Sequence, residues 1–231
     1  VLGVEFVVAP CLSPEKRPKD RAGWIALGQR LARTRDMIER EGLRFAWHNH
    51  DFEFEPLPDG SYPIEHILGS DLAWEADVAW VTLSDGDPIE WIDRYRHRIP
   101  LIHVKDVAPV GERINEDGWS DPGEGVLPWP ALWSACVAAG AEVMIAEHDN
   151  PSDFDRFRSR ELYGHADVLA GDAVMSVGVG IVVAATSPKS TLSTRSSFAT
   201  FALSPAPTST WRLPSVRLTV MASSPPASPI F

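Results

Sequence analysis

The sequence predicts an α/β protein of parallel strand–helix–strand units that closes as a (β/α)8 barrel instead of lying open. Three observations lead there. Short apolar, β-branched runs alternate with stretches of helical period. Four of the runs end in ionisable residues: Phe45 to Glu53, Leu72 to Asp77, Leu101 to Asp106 and Val143 to Asp149. No glycine-rich turn follows the first strand, as it does in an open doubly wound sheet that binds phosphate. Charged side chains are seldom left in a core unless they are paired or bind metal. Four strands ending in charge therefore predict one shared polar site, built where barrels build theirs, at the C-terminal ends of the strands.

Taken in order, Gly3 to Ala9, closed by Pro10, reads as the first strand. From Pro18 to Glu41 the period is helical, with Trp24, Leu27, Leu31, Arg35 and Ile38 three or four residues apart and Gly42 as the stop. Leu43 to His50 is the second strand, and Pro56 to Tyr62, with Asp59 and Gly60, is a surface turn. Pro63 to Leu68 is a short helix. Leu72 to Trp80 is the third strand, leading to a loop at Ser84 to Asp87, and Pro88 opens a helix through Arg98. Ile99 to Lys105 is the fourth strand. The loop from Val107 to Leu127 is long enough to be an active-site lid and not a mere connector. Trp129 to Gly140 is helical, and Ala141 to Glu147 is the fifth strand.

With 231 residues, 44% of them hydrophobic and 23% charged, the chain has material for one domain with a real core. Its net charge of -11 opposes sequence-independent contact with phosphates, so no nucleic-acid partner is expected. The most apolar window, Ala173 to Thr186, is too short and too rich in Gly, Ala and Ser to span a bilayer, so no membrane partner is expected either. Cys11 and Cys136 form no disulfide framework, which suits a cytoplasmic location. The chain opens on Val1 without a signal-peptide pattern and is expected to be processed or partial. Oligomeric state is not legible.

Two regions are predicted. Residues 1–160 form the barrel unit, and 161–231 form an irregular or disordered tail rich in Ser, Thr, Ala and Pro. After Asp172 the tail has no acidic residue, and its only cations are Lys189, Arg195, Arg212 and Arg217. So abrupt a change reads as a shifted frame or a mis-assembled gene end.

Asp77, His103 and Glu147 are the leading site candidates. Each ends its own strand, and two carboxylates with one imidazole make an ordinary oxygen and nitrogen shell for a divalent cation. Any one alone reads as a strand-end residue satisfied by a neighbour; three on successive strands read as a metal site. Trp47, Trp80 and Trp119 either wall a ligand pocket with flat apolar faces or belong to the core.

Six motifs resemble the sugar phosphate isomerase/epimerase family: Trp-His-Asn-His-Asp-Phe-Glu-Phe from Trp47, Glu-Ala-Asp-Val-Ala-Trp from Glu75, Gly-Asp-Pro from Gly86, His-Val-Lys-Asp from His103, Gly-Glu-Gly from Gly123 and Glu-His-Asp from Glu147. The resemblance covers about residues 1 to 160 and implies a xylose isomerase-like TIM barrel. It also implies one divalent metal ion, with Mn, Mg, Co and Zn all compatible, held by Asp77, His103 and Glu147. Related epimerases take a fourth ligand, a Glu, from the strand that here ends His48-Asn49-His50; Glu53 ranks ahead of His48 and His50 for that place. The implied reaction is isomerisation or epimerisation of a small sugar or sugar phosphate, by proton transfer next to a ketose carbonyl through an enediolate. Glu147 is then the first candidate acid/base and Glu53 its partner on the opposite face. Lys105 orients a substrate oxygen or stabilises negative charge, unless it pairs with Asp106 or Asp77. His48, His50, Trp80 and Lys105 are the expected substrate contacts, and His148 and Asp149 flank Glu147 as supports.

By the same resemblance, Val4 to Val8 is the fourth barrel strand and Val143 to Glu147 the eighth, so only the last five βα units are expected. A wall of five parallel strands leaves two edges open, and weak or no turnover is expected of this chain alone. The same enediolate can instead expel a β-hydroxyl, which keeps a keto-sugar or inosose dehydratase or lyase as the alternative. A non-catalytic barrel fragment is a further alternative. Metal-dependent phosphodiester cleavage is disfavoured by the acidic charge and the single ligand set.

Overall fold

The structure, a computed structural model, describes residues 5–157 and the strand Gly180–Ala185. Six parallel strands form one sheet: β1 (Phe6–Ala9), β2 (Arg44–His48), β3 (Ala73–Asp77), β4 (Leu101–Val104), β7 (Val143–His148) and β8 (Gly180–Ala185), hydrogen-bonded in that order. Between β4 and β7, a two-stranded antiparallel ribbon pairs β5 (Asp106–Val107) with β6 (Trp119–Ser120). The helices are α1 (Arg21–Arg40), α2 (Pro63–Leu68), α3 (Val78–Leu83), α4 (Pro88–Arg94) and α5 (Trp129–Ala139).

Side chains two apart on a strand share a face, and the two faces of this sheet differ. One carries Phe45, Trp47, Trp74, Ala76, Ile102, Val104 and Met144, which pack with Trp24 and Leu27 of α1, Ile64 and Ile67 of α2 and Leu132 and Cys136 of α5. The other carries a small apolar layer of strand residues only, Phe6, Ala46, Leu101 and Ile145, flanked by Val8, Ala73 and Val143. Two residues further along the same strands, that face turns polar, with His48, Glu75, His103 and Glu147, and Asp77 and Lys105 beyond. Helices outside and a stacked side-chain layer inside make the wall of a barrel.

Local chemistry explains the element ends. The Asp20 carboxylate accepts from Gly23 N at 2.8 Å and starts α1, and Gly42, at φ 77°, ends its last turn. Gly28 sits where α1 meets α2: a Cβ there would lie 2.1 Å from the His66 carbonyl oxygen.

Three differences from the sequence reading follow. The third strand stops at Asp77, not Trp80, because the Asp77 side chain accepts from Ala79 N and Trp80 N and caps α3. The helix opened by Pro88 ends at Arg94, and His97 turns the chain at φ 69°. Within the stretch read as irregular, Gly180–Ala185 pairs in parallel with β7 and adds a strand to the five read from the sequence. Its Ile-Val-Val run has strand propensity, and β7 offers an edge of backbone groups to satisfy. The remainder of 158–231, like residues 1–4, lies outside the described residues. Among the described residues, no helix is long and apolar enough to cross a membrane.

Candidate metal centre

The register brings the ionisable strand ends together. His48 pairs with Glu75 across β2 and β3, and Asp77 pairs with His103 across β3 and β4. His103 is the hub. Its Nδ1 lies 2.6 Å from Glu147 Oε2 and 4.0 Å from Asp77 Oδ2, and its Nε2 lies 3.0 Å from Glu75 Oε1. His48 Nδ1 lies 3.3 Å from that same Glu75 oxygen, off the line of a hydrogen bond. Lys105 Nζ donates to Asp149 Oδ2 at 2.6 Å and lies 3.5 Å from Glu147 Oε2 and 3.7 Å from Asp77 Oδ2. Asp77, His103 and Glu147, the three leading candidates, present donor atoms within 4.8 Å of one another.

Burial and charge set the protonation. Burial alone would push Glu75 up, but the adjacent imidazoles of His103 and His48 outweigh it and hold Glu75 at about 2. Burial likewise opposes ionisation of Glu147, yet Lys105 and His103 hold it well below the usual carboxylate range. For Asp77 burial wins over Lys105 and His103, and its carboxyl is raised. His103 is raised well above an ordinary imidazole, because Glu147 and Glu75 overcome its desolvation. Lys105 is raised by Asp149, Glu147 and Asp77 against the same penalty.

The donor set fits a divalent cation. Asp77 Oδ2, Glu75 Oε2 and His48 Nδ1 are buried without a hydrogen-bond partner. Unpaired buried acceptors are costly, and a cation satisfies them where a neutral neighbour does not. Asp77 is pre-aimed, since its Oδ1 is held by the α3 amides and Oδ2 is left over. Asn49 fixes the strand beneath, accepting from Asp77 N at 2.9 Å and Trp74 Nε1 at 2.8 Å and donating to the Asp77 carbonyl at 3.1 Å.

Other candidates fall in different places. Glu53 is not brought to the cluster: its carboxylate accepts from Trp47 Nε1 and His50 N, both at 2.9 Å, beneath the turn after β2. Burial raises it to about 8. His48, from the strand end where the fourth ligand was sought, reaches the cluster in its stead. His50 stands beside it, 5.1 Å from the His48 ring and 5.4 Å from the Trp80 ring, and burial together with nearby His48 and Lys105 lowers it to about 2. Trp80 and Trp119 meet edge to face at 4.8 Å, and the Lys105 ammonium lies over both rings, 5.1 and 4.1 Å from their centroids. Trp47 faces the helices, because it is odd in the strand alternation. His148 also points outward, with its ring 5.8 Å from Phe157 and its Nδ1 accepting from Asn150 N.

Lys105 pairs with Asp149 and approaches Asp77, but does not pair with Asp106, which lies on the other face. Asp106 instead accepts from Val107 N, Gly123 N, Gly125 N and Leu127 N and gathers the 107–127 loop, which carries Trp119 to Lys105. Glu75 and Asn49 were the residues missed. The signal for Glu75 was present, two positions before Asp77 on the same face; Asn49 showed none.

No family model and no curated protein matches the sequence. Solved structures do match. A sugar phosphate isomerase/epimerase from Parabacteroides distasonis ATCC 8503 aligns with a TM-score of 0.54 at 23% identity, over 65% of this chain and 54% of that one. The fold is that of a xylose isomerase-like TIM barrel, in part. A xylose isomerase domain protein from Alicyclobacillus acidocaldarius subsp. acidocaldarius gives a TM-score of 0.52 at 17% identity, over 73% of this chain and 65% of that one. The IOLI protein with a binding zinc atom gives 0.56 at 18%, over 73% and 64%. This partial barrel thus spans about half the length of the isomerase/epimerase it matches.

Proposed function

We propose that the chain carries the metal-bearing part of a sugar or sugar phosphate isomerase or epimerase site, acting by proton transfer next to a ketose carbonyl through an enediolate. The observation that carries this reading is the convergence of Asp77, His103 and Glu147, with Asp77 Oδ2 buried without a hydrogen bond and the Lys105 ammonium 3.5 Å from Glu147. The shared fold supports it, since two matching proteins are named for such chemistry and a third holds zinc.

A divalent ion held by Asp77, His103 and Glu147 would supply Lewis-acid stabilisation of charge on the enediolate oxygens. The chain's own groups do the rest. Glu147, kept anionic by Lys105 and His103, is the group to accept a proton from carbon. Lys105, locked between three carboxylates and two indole faces, keeps a fixed positive charge for a substrate oxygen. Trp80 and Trp119 exclude water beside it, and neutral His50 presents an imidazole to a hydroxyl. Glu53 acts by holding the His48–His50 turn in place, not as a ligand. A cytoplasmic location goes with this reading, supported by free Cys11 and Cys136.

The test is deuterium incorporation from solvent at the carbon next to the carbonyl, followed by NMR on a panel of ketoses with Mn2+ or Co2+ supplied. Slow exchange is expected, lost by about 100-fold or more in Glu147→Gln. Exchange indifferent to Glu147→Gln and Asp77→Asn would sink the proposal. The Lys105 ammonium beside Glu147 also favours a second outcome, because its fixed charge can stabilise the oxygen of a departing β-hydroxyl while Glu147 returns to it the proton taken from carbon, so that water leaves. Loss of water from a keto-sugar or inosose, seen by mass spectrometry, would identify the dehydratase reading.

A further inference from the structure

Two groups of buried donors meet on opposite sides of the His103 ring. On the Nδ1 side stand Glu147 Oε2 at 2.6 Å and Asp77 Oδ2 at 4.0 Å. On the Nε2 side stands Glu75 Oε1 at 3.0 Å, with His48 Nδ1 3.3 Å from that oxygen. Each trio, Asp77–His103–Glu147 and His48–Glu75–His103, brings one donor atom per residue within 4.8 Å. The second trio is as well buried as the first, with His48 6% and Glu75 0% exposed. Both its His48 Nδ1 and its Glu75 Oε2 lack a hydrogen-bond partner.

The trios differ in chemistry. Two imidazoles and one carboxylate suit a borderline-soft ion such as Zn2+, whereas two carboxylates and one imidazole suit Mg2+ or Mn2+. A neutral imidazole bound to metal through one nitrogen keeps its proton on the other, and metal-bound histidines almost always donate that N–H to a carboxylate or carbonyl. His103 meets this condition either way round. With an ion on Nε2, the Nδ1 proton has Glu147 to receive it; with an ion on Nδ1, the Nε2 proton has Glu75.

We infer that His103 serves two mutually exclusive cation positions: a zinc-type position with His48 and Glu75, and the magnesium- or manganese-type position with Asp77 and Glu147. Only the latter rests on the isomerase reading. The ring's tautomer reports which is filled. Zn2+ on Nε2 leaves Glu147 as a hydrogen-bond acceptor and Asp77 without a metal ion, so the zinc-bound form is an alternative resting state of the same centre.

The experiment uses the 15N-labelled full chain, stripped of metal, with Zn2+ or Mg2+ as the probe. Long-range 1H–15N spectra of His103 are expected to show the proton on Nδ1 with Zn2+ and on Nε2 with Mg2+, a readout that needs no variant. By calorimetry one equivalent of Zn2+ is expected to bind, with His48→Gln and Glu75→Gln each weakening it by at least about ten-fold and Asp77→Asn changing it by less than about three-fold. The same tautomer with both ions, no Zn2+ binding, or equal loss of Zn2+ affinity in Asp77→Asn and Glu75→Gln would overturn the inference. Failure of deuterium exchange would count against the isomerase reading and leave the zinc position standing; a common tautomer would do the reverse.

Discussion

Replacing Asp106 by alanine tests how the 107–127 loop is held over the candidate centre. The Asp106 carboxylate is fully buried and accepts four backbone hydrogen bonds: Oδ1 from Val107 N at 2.8 Å and Leu127 N at 3.1 Å, Oδ2 from Gly123 N at 2.9 Å and Gly125 N at 3.1 Å. Burial works against it strongly enough to raise its pKa despite those bonds, so their gross worth is partly consumed. Hydrogen bonds to a charged group contribute about 1.5 to 3 kcal/mol each, and an orphaned buried donor costs about 1 to 3. Four at full value would exceed the effect of nearly any point substitution, but a freed loop lets water reach some of the amides. The expected loss is therefore about 3 to 5 kcal/mol, comparable with the largest single-substitution effects. Asp106→Asn keeps one acceptor oxygen and should lose about half as much. Urea unfolding followed by tryptophan fluorescence measures the loss. Amide hydrogen exchange locates it, with Gly123, Gly125 and Leu127 losing protection first. A change below about 1 kcal/mol with those three amides still protected would refute the reasoning.

Gly125→Ala attacks the same clasp from the other side, since its Cβ would lie 2.2 Å from Asp106 Oδ1 and 2.3 Å from the Val107 carbonyl oxygen. It should destabilise by about 1 to 3 kcal/mol in a urea titration. Gly28→Ala should cost a similar amount, about 1 to 3 kcal/mol, by forcing α1 from α2 at the His66 carbonyl, and unchanged stability would contradict that packing. For Glu53, burial raises the carboxyl from 4.5 to about 8. The folded state thus keeps a proton that the unfolded chain gives up. The stabilisation linked to Glu53 is complete below the unfolded value and declines, by on the order of 4 kcal/mol, as pH rises towards about 8. Glu53→Gln should flatten that slope between pH 5 and 9, and identical slopes in urea midpoints would count against a neutral buried Glu53.

The parallel architecture was legible because it depends on local signals: apolar runs of strand length, helical spacing from Trp24 to Ile38, and glycine at the end of α1. Strand-end charge pointed to one place on the sheet: Asp77 pairs with His103 in register, and Glu147 lies two residues beyond Ile145, the register partner of His103. The particular partners were not legible. Lys105 is followed at once by Asp106, yet strand alternation sends them to opposite faces, and Lys105 finds Asp149 across the sheet. Glu53 looked like a ligand by its place in a polar motif, but the turn after β2 folds it back onto the Trp47 indole. Asp77 read as a strand residue; its side chain also caps α3, a competition between periods that the apolar run Val78 to Val81 conceals. Composition spoke for irregularity beyond residue 160, whereas Gly180–Ala185 has an edge of β7 to pair with, a tertiary opportunity that composition does not record.

Whether Asp77, His103 and Glu147 hold one divalent ion is tested most directly by Mn2+ binding followed by electron paramagnetic resonance, because the signal of free aqueous Mn2+ is lost when the ion is held by protein. One equivalent is expected to bind the metal-stripped chain, with affinity reduced at least about ten-fold in Asp77→Asn and in Glu147→Gln, and little changed in His48→Gln. Full Mn2+ signal in the presence of the unmutated chain, or binding that survives both carboxylate substitutions, would contradict the account.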